Sequence, residues 1–271
     1  MTPATTLSAG TKPPLLVAIA LALTAAASLA HGAACETRST ADRVAVLELY
    51  TSEGCNSCPP ADRWVSGLPA RGFDADRVIA LAFHVDYWDQ LGWPDRMAKA
   101  QFSERQRMQA QRNRASVVYT PQLLLNGMDY RATSDVRFGE RVKGLNRLPS
   151  GADLQLRQRP GVHDVTIELD VQVRRAAAAA HAQTFVAITE NRLQSAIKAG
   201  ENQGKLLQHD FVVREFAGPL PADAAGRVHW NSILALHGDW KRQDLALVAF
   251  VQDERSGEVL QAMRAPLCTN P

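Results

Sequence analysis

Hydrophobic residues fall along this chain in three textures. Leu15 to Ala30 (LLVAIALALTAAASLA) is one long apolar block rich in Ala and Leu. Val44 to Tyr50 (VAVLELY) and Val78 to Val85 (VIALAFHV) are shorter, nearly continuous runs, the texture of strands covered on both faces. From Val165 to Val173 the texture changes to strict alternation: Val165, Ile167, Leu169, Val171 and Val173 are separated by Thr166, Glu168, Asp170 and Gln172. A period of two predicts a half-buried antiparallel strand.

The segments between these runs complete the pattern. TSEGCNSCPPADRWVSGL after the first run predicts a turn and then a helix ending near Gly67. Asp95 to Arg114 has neither Gly nor Pro and predicts a long polar helix. VVYTPQLLLNGMDYRA predicts two strands joined at Asn126-Gly127, a strong hairpin signal, and a helical segment over about 134–146 ends the series. The order is β-α-β-α-β-β followed by a helix. Pro149-Ser150-Gly151 is expected to be a linker. Beyond it β runs recur at 154–158, 165–173, 184–189, 210–216, 227–236, 245–252 and 258–265. About seven strands in about 115 residues predict a β-sandwich, immunoglobulin-like in texture. Ala176 to Ala180, between two strands, predicts a loop or a short helical turn.

The apolar block near the start, with Lys12 before it and small residues after it, has the layout of a secretory signal peptide cleaved between Ala30 and Ala34. A retained anchor is the alternative, and the run is short for a span. A lipoprotein signal would need an aliphatic residue where Gly32 precedes Cys35. The expected organisation is a signal peptide over 1–34, an α/β domain over 35–148 and an all-β domain over 149–271, with the mature protein exported, periplasmic or secreted, and without a later membrane span. The length of 271 residues accommodates two domains. With 30 Lys and Arg against 28 Asp and Glu the net charge is only +2, which disfavours a nucleic-acid partner.

Export changes how the cysteines read. There are four, Cys35, Cys55, Cys58 and Cys268, and three pairings are open. Cys55 and Cys58 form a CxxC that can close on itself. Cys35 and Cys268 then remain at the two ends of the mature chain, where a structural disulfide staple is plausible because domain termini often lie close together.

A CxxC that follows a buried strand and opens a helix, with Thr120-Pro121 later at the mouth of another strand, resembles the arrangement of the thioredoxin superfamily. VAVLELYTSEGCNSCPPADRW, FHVDYWDQLGW and YTPQLLLNG together resemble a family of secreted bacterial proteins described as a domain of unknown function with a thioredoxin-like fold. The first resemblance covers about residues 44–147 and the second most of the mature chain. The resemblance implies an α/β thioredoxin-like domain, a cis proline at Pro121 beside the cysteines, and a buried acid at Glu48 that relays a proton for the second cysteine. Glu48 lies seven residues before Cys55, which requires a one-residue insertion relative to that pattern.

In disulfide exchange the thiolate is the nucleophile, and it needs access and a lowered pKa. Cys55, on the loop side, is the expected nucleophile and at least partly exposed; Cys58 is the expected resolving thiol. Pro59 and Pro60 suit a first helical turn and place the helix start at Cys58 with Ser57 as its cap, which moves Cys55 away from the helix dipole. Thr120, Pro121 and Trp88 are the candidate substrate-binding residues, with Trp93 as a further wall of the crevice. His84, near the end of the second run, is a candidate third ligand with Cys55 and Cys58 for copper or zinc, against an ordinary structural histidine. The cations of the 95–114 segment, among them Arg105 and Arg107, suit an acidic partner or anionic lipid, with a solvated face as the plain alternative. The expected activity is thiol–disulfide exchange on protein or small-molecule thiols without an organic cofactor, with a redox partner protein as a further partner and the direction of exchange left open. The alternatives are copper handling and a binding protein whose CxxC is an inert disulfide.

Overall fold

The computed structural model describes residues 1–5, 35–131, 134–174 and 176–268. The expected signal peptide, with its apolar block and cleavage site, lies outside the described residues except for residues 1–5. From Cys35 onward the described chain forms one compact unit. Strands β1 (Cys35–Arg38) and β2 (Ala45–Thr51) lead through the CxxC turn to helix α1 (Pro59–Ser66). Then follow β3 (Val78–His84), α2 (Ala100–Arg112), the hairpin β4 (Gln122–Leu125) and β5 (Met128–Asp129), and α3 (Asp135–Asn146). Next come β6 (Ala152–Pro160), β7 (Asp164–Val173), the four-residue α4 (Ala176–Ala179), β8 (Ala182–Glu190) and a second hairpin, β9 (Leu193–Ala196) and β10 (Leu206–His209). The chain ends with β11 (Val212–Pro221), β12 (Arg227–Ala235), β13 (Leu245–Asp253) and β14 (Val259–Pro266).

Local chemistry accounts for the boundaries. Pro59 and Pro60 occupy the first two positions of α1, where the absent N–H groups would have no helical partner, and Gly67 closes the helix. Cys58, rather than Ser57, is its N-cap. Ser134 caps α3 by accepting a hydrogen bond from the Arg137 N–H at 3.3 Å. Asn126 and Gly127 both take positive φ, as the tight turn between β4 and β5 requires. Helix α2 starts at Ala100, later than the sequence pattern predicts, because the Asp95 carboxylate accepts the Met97 N–H and holds 95–97 as a turn.

The expected α/β thioredoxin-like domain followed by a separate sandwich is not what the chain forms. The architecture is mostly β: three sheets among the described residues, with only α1, α2 and α3 reaching eight residues. The largest sheet has eight strands in the order β14-β13-β8-β11-β3-β2-β4-β5, so strands from both halves of the chain share it. The joint is the outer edge of β3. Ala82 N–H donates to Phe211 O at 2.8 Å, and Val212 pairs with Ala82 in parallel register. An apolar strand with one open edge leaves backbone groups to be satisfied, and β11 satisfies them. Pro149-Ser150-Gly151 is correspondingly no linker. Ser150 is buried, its N–H donates to Ala41 O at 3.1 Å, and the Gly151 N–H donates to Leu260 O at 3.0 Å.

Pairing and parity assign the faces of the large sheet. Ala82, Val212, Glu190 and Leu245 lie in register across four strands and share one face. On that face α1 and α3 pack over Leu47, Leu49, Ala80 and Ala82, and the second sheet, β1-β6-β7-β12, packs over Ile188, Leu245 and Leu247. Helix α2 covers the opposite face, with Phe102 against Val46, Tyr50, Leu81 and Phe83. A disulfide joins Cys35 to Cys268, with Cα atoms 6.1 Å apart and a sequence separation of 233. Among the described residues no helix is long and apolar enough to cross a membrane.

Candidate functional site

The turn after β2 carries the cysteine pair. Cys55 N–H donates to Ser52 O at 3.2 Å and Cys58 N–H to Cys55 O at 3.3 Å, which folds Ser52–Cys58 into successive tight turns ahead of α1. Cys55 and Cys58 form a disulfide with Cα atoms 5.4 Å apart. Ser57 Oγ lies 3.3 Å from Cys55 Sγ, close enough to donate to a thiolate there. Both cysteines are 0% exposed, so Cys55 does not sit at the surface as expected. Two covers account for that. Trp88 lies against Gly54, where an added Cβ would stand 3.2 Å from the Trp88 Cβ. The loop between β9 and β10 lies across the turn: Asn202 Nδ2 donates to Glu53 O at 2.8 Å and to Cys55 O at 2.9 Å, and the Glu201 carboxylate accepts the Asn56 N–H at 3.1 Å.

Thr120, Pro121 and Trp88 come together at this turn. The Thr120–Pro121 bond is cis, and Trp88 Nε1 donates to Thr120 Oγ1 at 2.8 Å. Pro121 and Ser57 line an open groove of about 830 Å³ whose apolar walls are Pro60, Trp64, Tyr119 and Tyr130. Trp93 is held near the turn by donating Nε1 to the Glu53 carboxylate at 2.8 Å.

Glu48 is not the cysteines' acid. In β2, Leu47 and Leu49 face α1, so Glu48 faces α2 on the other side of the sheet. There it accepts Arg105 Nε and Nη2, each at 2.8 Å, and the Tyr50 hydroxyl at 2.7 Å. The Arg105 guanidinium is ringed by Phe83, Phe185, Phe216 and Phe250, with centroids 4.7–5.7 Å from its carbon. Arg105 is therefore fully buried and does not belong to a solvated or lipid-facing cationic surface. Burial would lower its pKa, but Glu48 raises it overall.

On the α1 face the same alternation gathers other ionisable groups. Thr51 and His84 pair across β2 and β3 and point toward α1. Asp62 lies one helical turn after Cys58; its N–H donates to Cys58 O at 3.1 Å, and its carboxylate accepts the Thr51 hydroxyl at 3.2 Å. Burial raises the Asp62 pKa, against the attraction of His209 and His84. His84 Nδ1 is 2.6 Å from Asp95 Oδ2. Burial works against a charged His84, but the Asp95 carboxylate, with Asp62 and Glu53 beyond it, raises the His84 pKa overall. Asp95, opposed by burial but favoured by His84 and by the N–H groups of Glu53 and Met97, is lowered to about 2. His209, from the end of β10, stacks edge-on to His84 at 5.1 Å and stands 3.3 Å from the Glu53 carboxylate. His84 Nε2 and His209 Nδ1 have no hydrogen-bond partner among the described residues. Asp62 and His209 line a small cleft of about 100 Å³ between α1 and β10.

His84 is thus tied to a carboxylate, and Cys55, Cys58 and His84 do not present ligand atoms as one close set. The close set among the described residues is Glu168, Asp170 and His229 on the second sheet, where Arg157 already pairs with both carboxylates at 3.0 Å. Sequence reasoning missed Asp62, Glu53, Asp95, Asn202 and His209. A signal existed for Asp62, four residues after Cys58 on the same helix face. No local signal marks Asn202 or His209, which reach the site from about 145 residues away by sheet pairing.

Such a covered CxxC turn, flanked by a cis proline and backed by buried acids and histidines, defines a class of site rather than an activity. The chain belongs to the family described as protein of unknown function DUF1223, whose model matches residues 46–252. It is similar to the crystal structure of protein AGR_C_4864 from Agrobacterium tumefaciens, with 25% identity and a TM-score of 0.58 over 86% of this chain and 98% of that one. It also shares its fold with HBP35 of Porphyromonas gingivalis, with 16% identity and a TM-score of 0.66 over 84% of this chain and 76% of that one. No curated protein matches the chain.

Proposed function

We propose that the protein is an exported thiol–disulfide oxidoreductase acting through Cys55 and Cys58. The observation that carries this proposal is the disulfide across the CxxC turn, with the Asp62 carboxyl one helical turn from Cys58 and an apolar groove beginning at Ser57. In the oxidised protein a substrate thiolate attacks Cys55 Sγ. The Cys55–Cys58 bond breaks, its electron pair leaves on Cys58 Sγ, and the Cys58 thiolate takes a proton from Asp62. A second substrate thiolate attacks the substrate sulfur of the mixed disulfide and releases the Cys55 thiolate, which Ser57 stabilises by hydrogen bonding. Two thiols become one disulfide, and the cysteine pair holds the two electrons. Run backward, with Asp62 accepting the Cys58 proton, the same steps reduce a substrate disulfide. The partners are protein or small-molecule thiols and disulfides, and no organic cofactor is needed.

Complete burial of both cysteines favours a second possibility, a binding protein whose CxxC is an inert disulfide. Equilibration with glutathione redox buffers separates the two. For an oxidoreductase, Cys55–Cys58 exchanges with a potential above about −300 mV, Cys55→Ala abolishes exchange, and Cys58→Ala accumulates mixed disulfide. A pair that stays oxidised below that potential while the fold is intact makes the inert disulfide the correct assignment.

A further inference from the structure

We infer that the β9–β10 loop decides which thiols reach Cys55, and that the site therefore serves small or extended-chain thiols rather than disulfides set in a folded protein surface. This rests on the exchange chemistry proposed above.

The loop, residues 197–205, is well defined by its own bonds. Ile197 N–H donates to Lys205 O at 2.9 Å, and Gly204 N–H to Ile197 O at 2.9 Å. Gly200 and Gly204 take the positive φ its turns require. At Gly200 an added Cβ would stand 3.2 Å from the Trp93 Cβ, so the loop rests on the wall beside the site. Its grip on the CxxC turn runs through two side chains, Asn202 and Glu201. Asn202 is fully buried, donates to the carbonyls on both sides of Gly54, and accepts Lys205 Nζ at 2.8 Å. None of these bonds involves a sulfur, so reducing the disulfide breaks none of them directly.

Release of Asn202 and Glu201 gives up three hydrogen bonds to the turn, and the loop then opens without unfolding the larger sheets, because β9 and β10 pair only with each other. The groove lined by Ser57, Trp64, Tyr119 and Pro121 stays open throughout. A flexible thiol-bearing chain lies in that groove and needs only the loop tip to move. A rigid protein surface must displace the whole hairpin, which also carries His209 into the buried cluster.

The test uses the full chain with the Cys55–Cys58 pair reduced and Cys35–Cys268 intact. Cys55 is alkylated with iodoacetamide and with a maleimide carried on a long polyethylene glycol, each rate normalised to that of glutathione and the site located by peptide mapping. In the wild type the small reagent is favoured by about a hundredfold. Asn202→Ala lowers that preference about tenfold, through faster reaction of the bulky reagent. Glu201→Ala, an exposed position that tolerates truncation, lowers it about threefold. Lys198→Ala, an exposed position of the same loop, leaves both rates at the wild-type value. A wild-type preference near one, or a preference unchanged in both folded Asn202→Ala and Glu201→Ala, overturns the inference. Exchange with glutathione disulfide is measured in parallel. Variants that alkylate more freely yet never exchange defeat the oxidoreductase proposal and leave the gate standing.

Discussion

Glu48 and Asp62 are both buried carboxylates within one turn or strand of the cysteine motif, and the sheet puts them on opposite faces. Glu48 has both oxygens engaged, by Arg105 and by Tyr50, and Arg105 is in turn enclosed by four phenylalanines. Asp62 accepts one hydroxyl and sits beside two histidines, and His84 Nε2 and His209 Nδ1 have no hydrogen-bond partner among the described residues. A carboxylate whose two oxygens are both held by a buried guanidinium and a hydroxyl gives up a great deal when that pairing is disturbed. A buried carboxyl with a raised pKa and few partners is the opposite, poised to change protonation. The difference lies in satisfaction, not in burial.

Three measurements break or sharpen this contrast. The largest effect is expected on the Glu48 face. Glu48→Gln leaves Arg105 buried without its counter-charge, and stability falls by about 3–5 kcal/mol in urea unfolding. The folded fraction keeps its exchange rate; a stable Glu48→Gln protein that no longer exchanges would reverse the assignment of the two acids.

Next comes the His84–Asp95 pair. His84 has a raised folded-state pKa, so its contribution is fully present below its unfolded value, about 6.5, and is lost as pH rises through the folded value. Asp95, lowered to about 2, contributes above its unfolded value, about 4, and loses that contribution as pH falls toward 2. The pair therefore stabilises most between about pH 4 and 6.5. Asp95→Asn should cost about 1–3 kcal/mol within that window and less above it. Calorimetry across pH reads this directly, and a cost that grows above neutral pH contradicts the ion pair.

The smallest change in free energy is expected at Asp62. Asp62→Asn should slow exchange by about tenfold and flatten its pH dependence while leaving the fold intact. Because the Asp62 pKa is raised in the folded protein, the wild type loses stability as pH rises through that pKa, and the Asn variant lacks this loss. An unchanged pH–rate profile would remove Asp62 from proton handling.

Much of the local structure was legible in the residues themselves. The apolar runs of β2 and β3, the alternation of β7, the Asn126-Gly127 turn and the double proline opening α1 are all short-range signals, read over a few residues. Even the placing of Glu48 was available in principle, since Leu47 and Leu49 flank it and alternate strand residues take opposite faces. What the tertiary structure alone decided is which edges pair. Hydrogen bonding of β11 onto β3 merges an expected α/β domain and an expected sandwich into one sheet, and the β9–β10 hairpin brings Asn202 and His209 onto the cysteine turn. Backbone edges carry the same donors and acceptors whatever their side chains, so composition and periodicity name a strand without naming its neighbour. The partner is chosen by the burial of all strands at once, and with it the cover and the chemistry of the site.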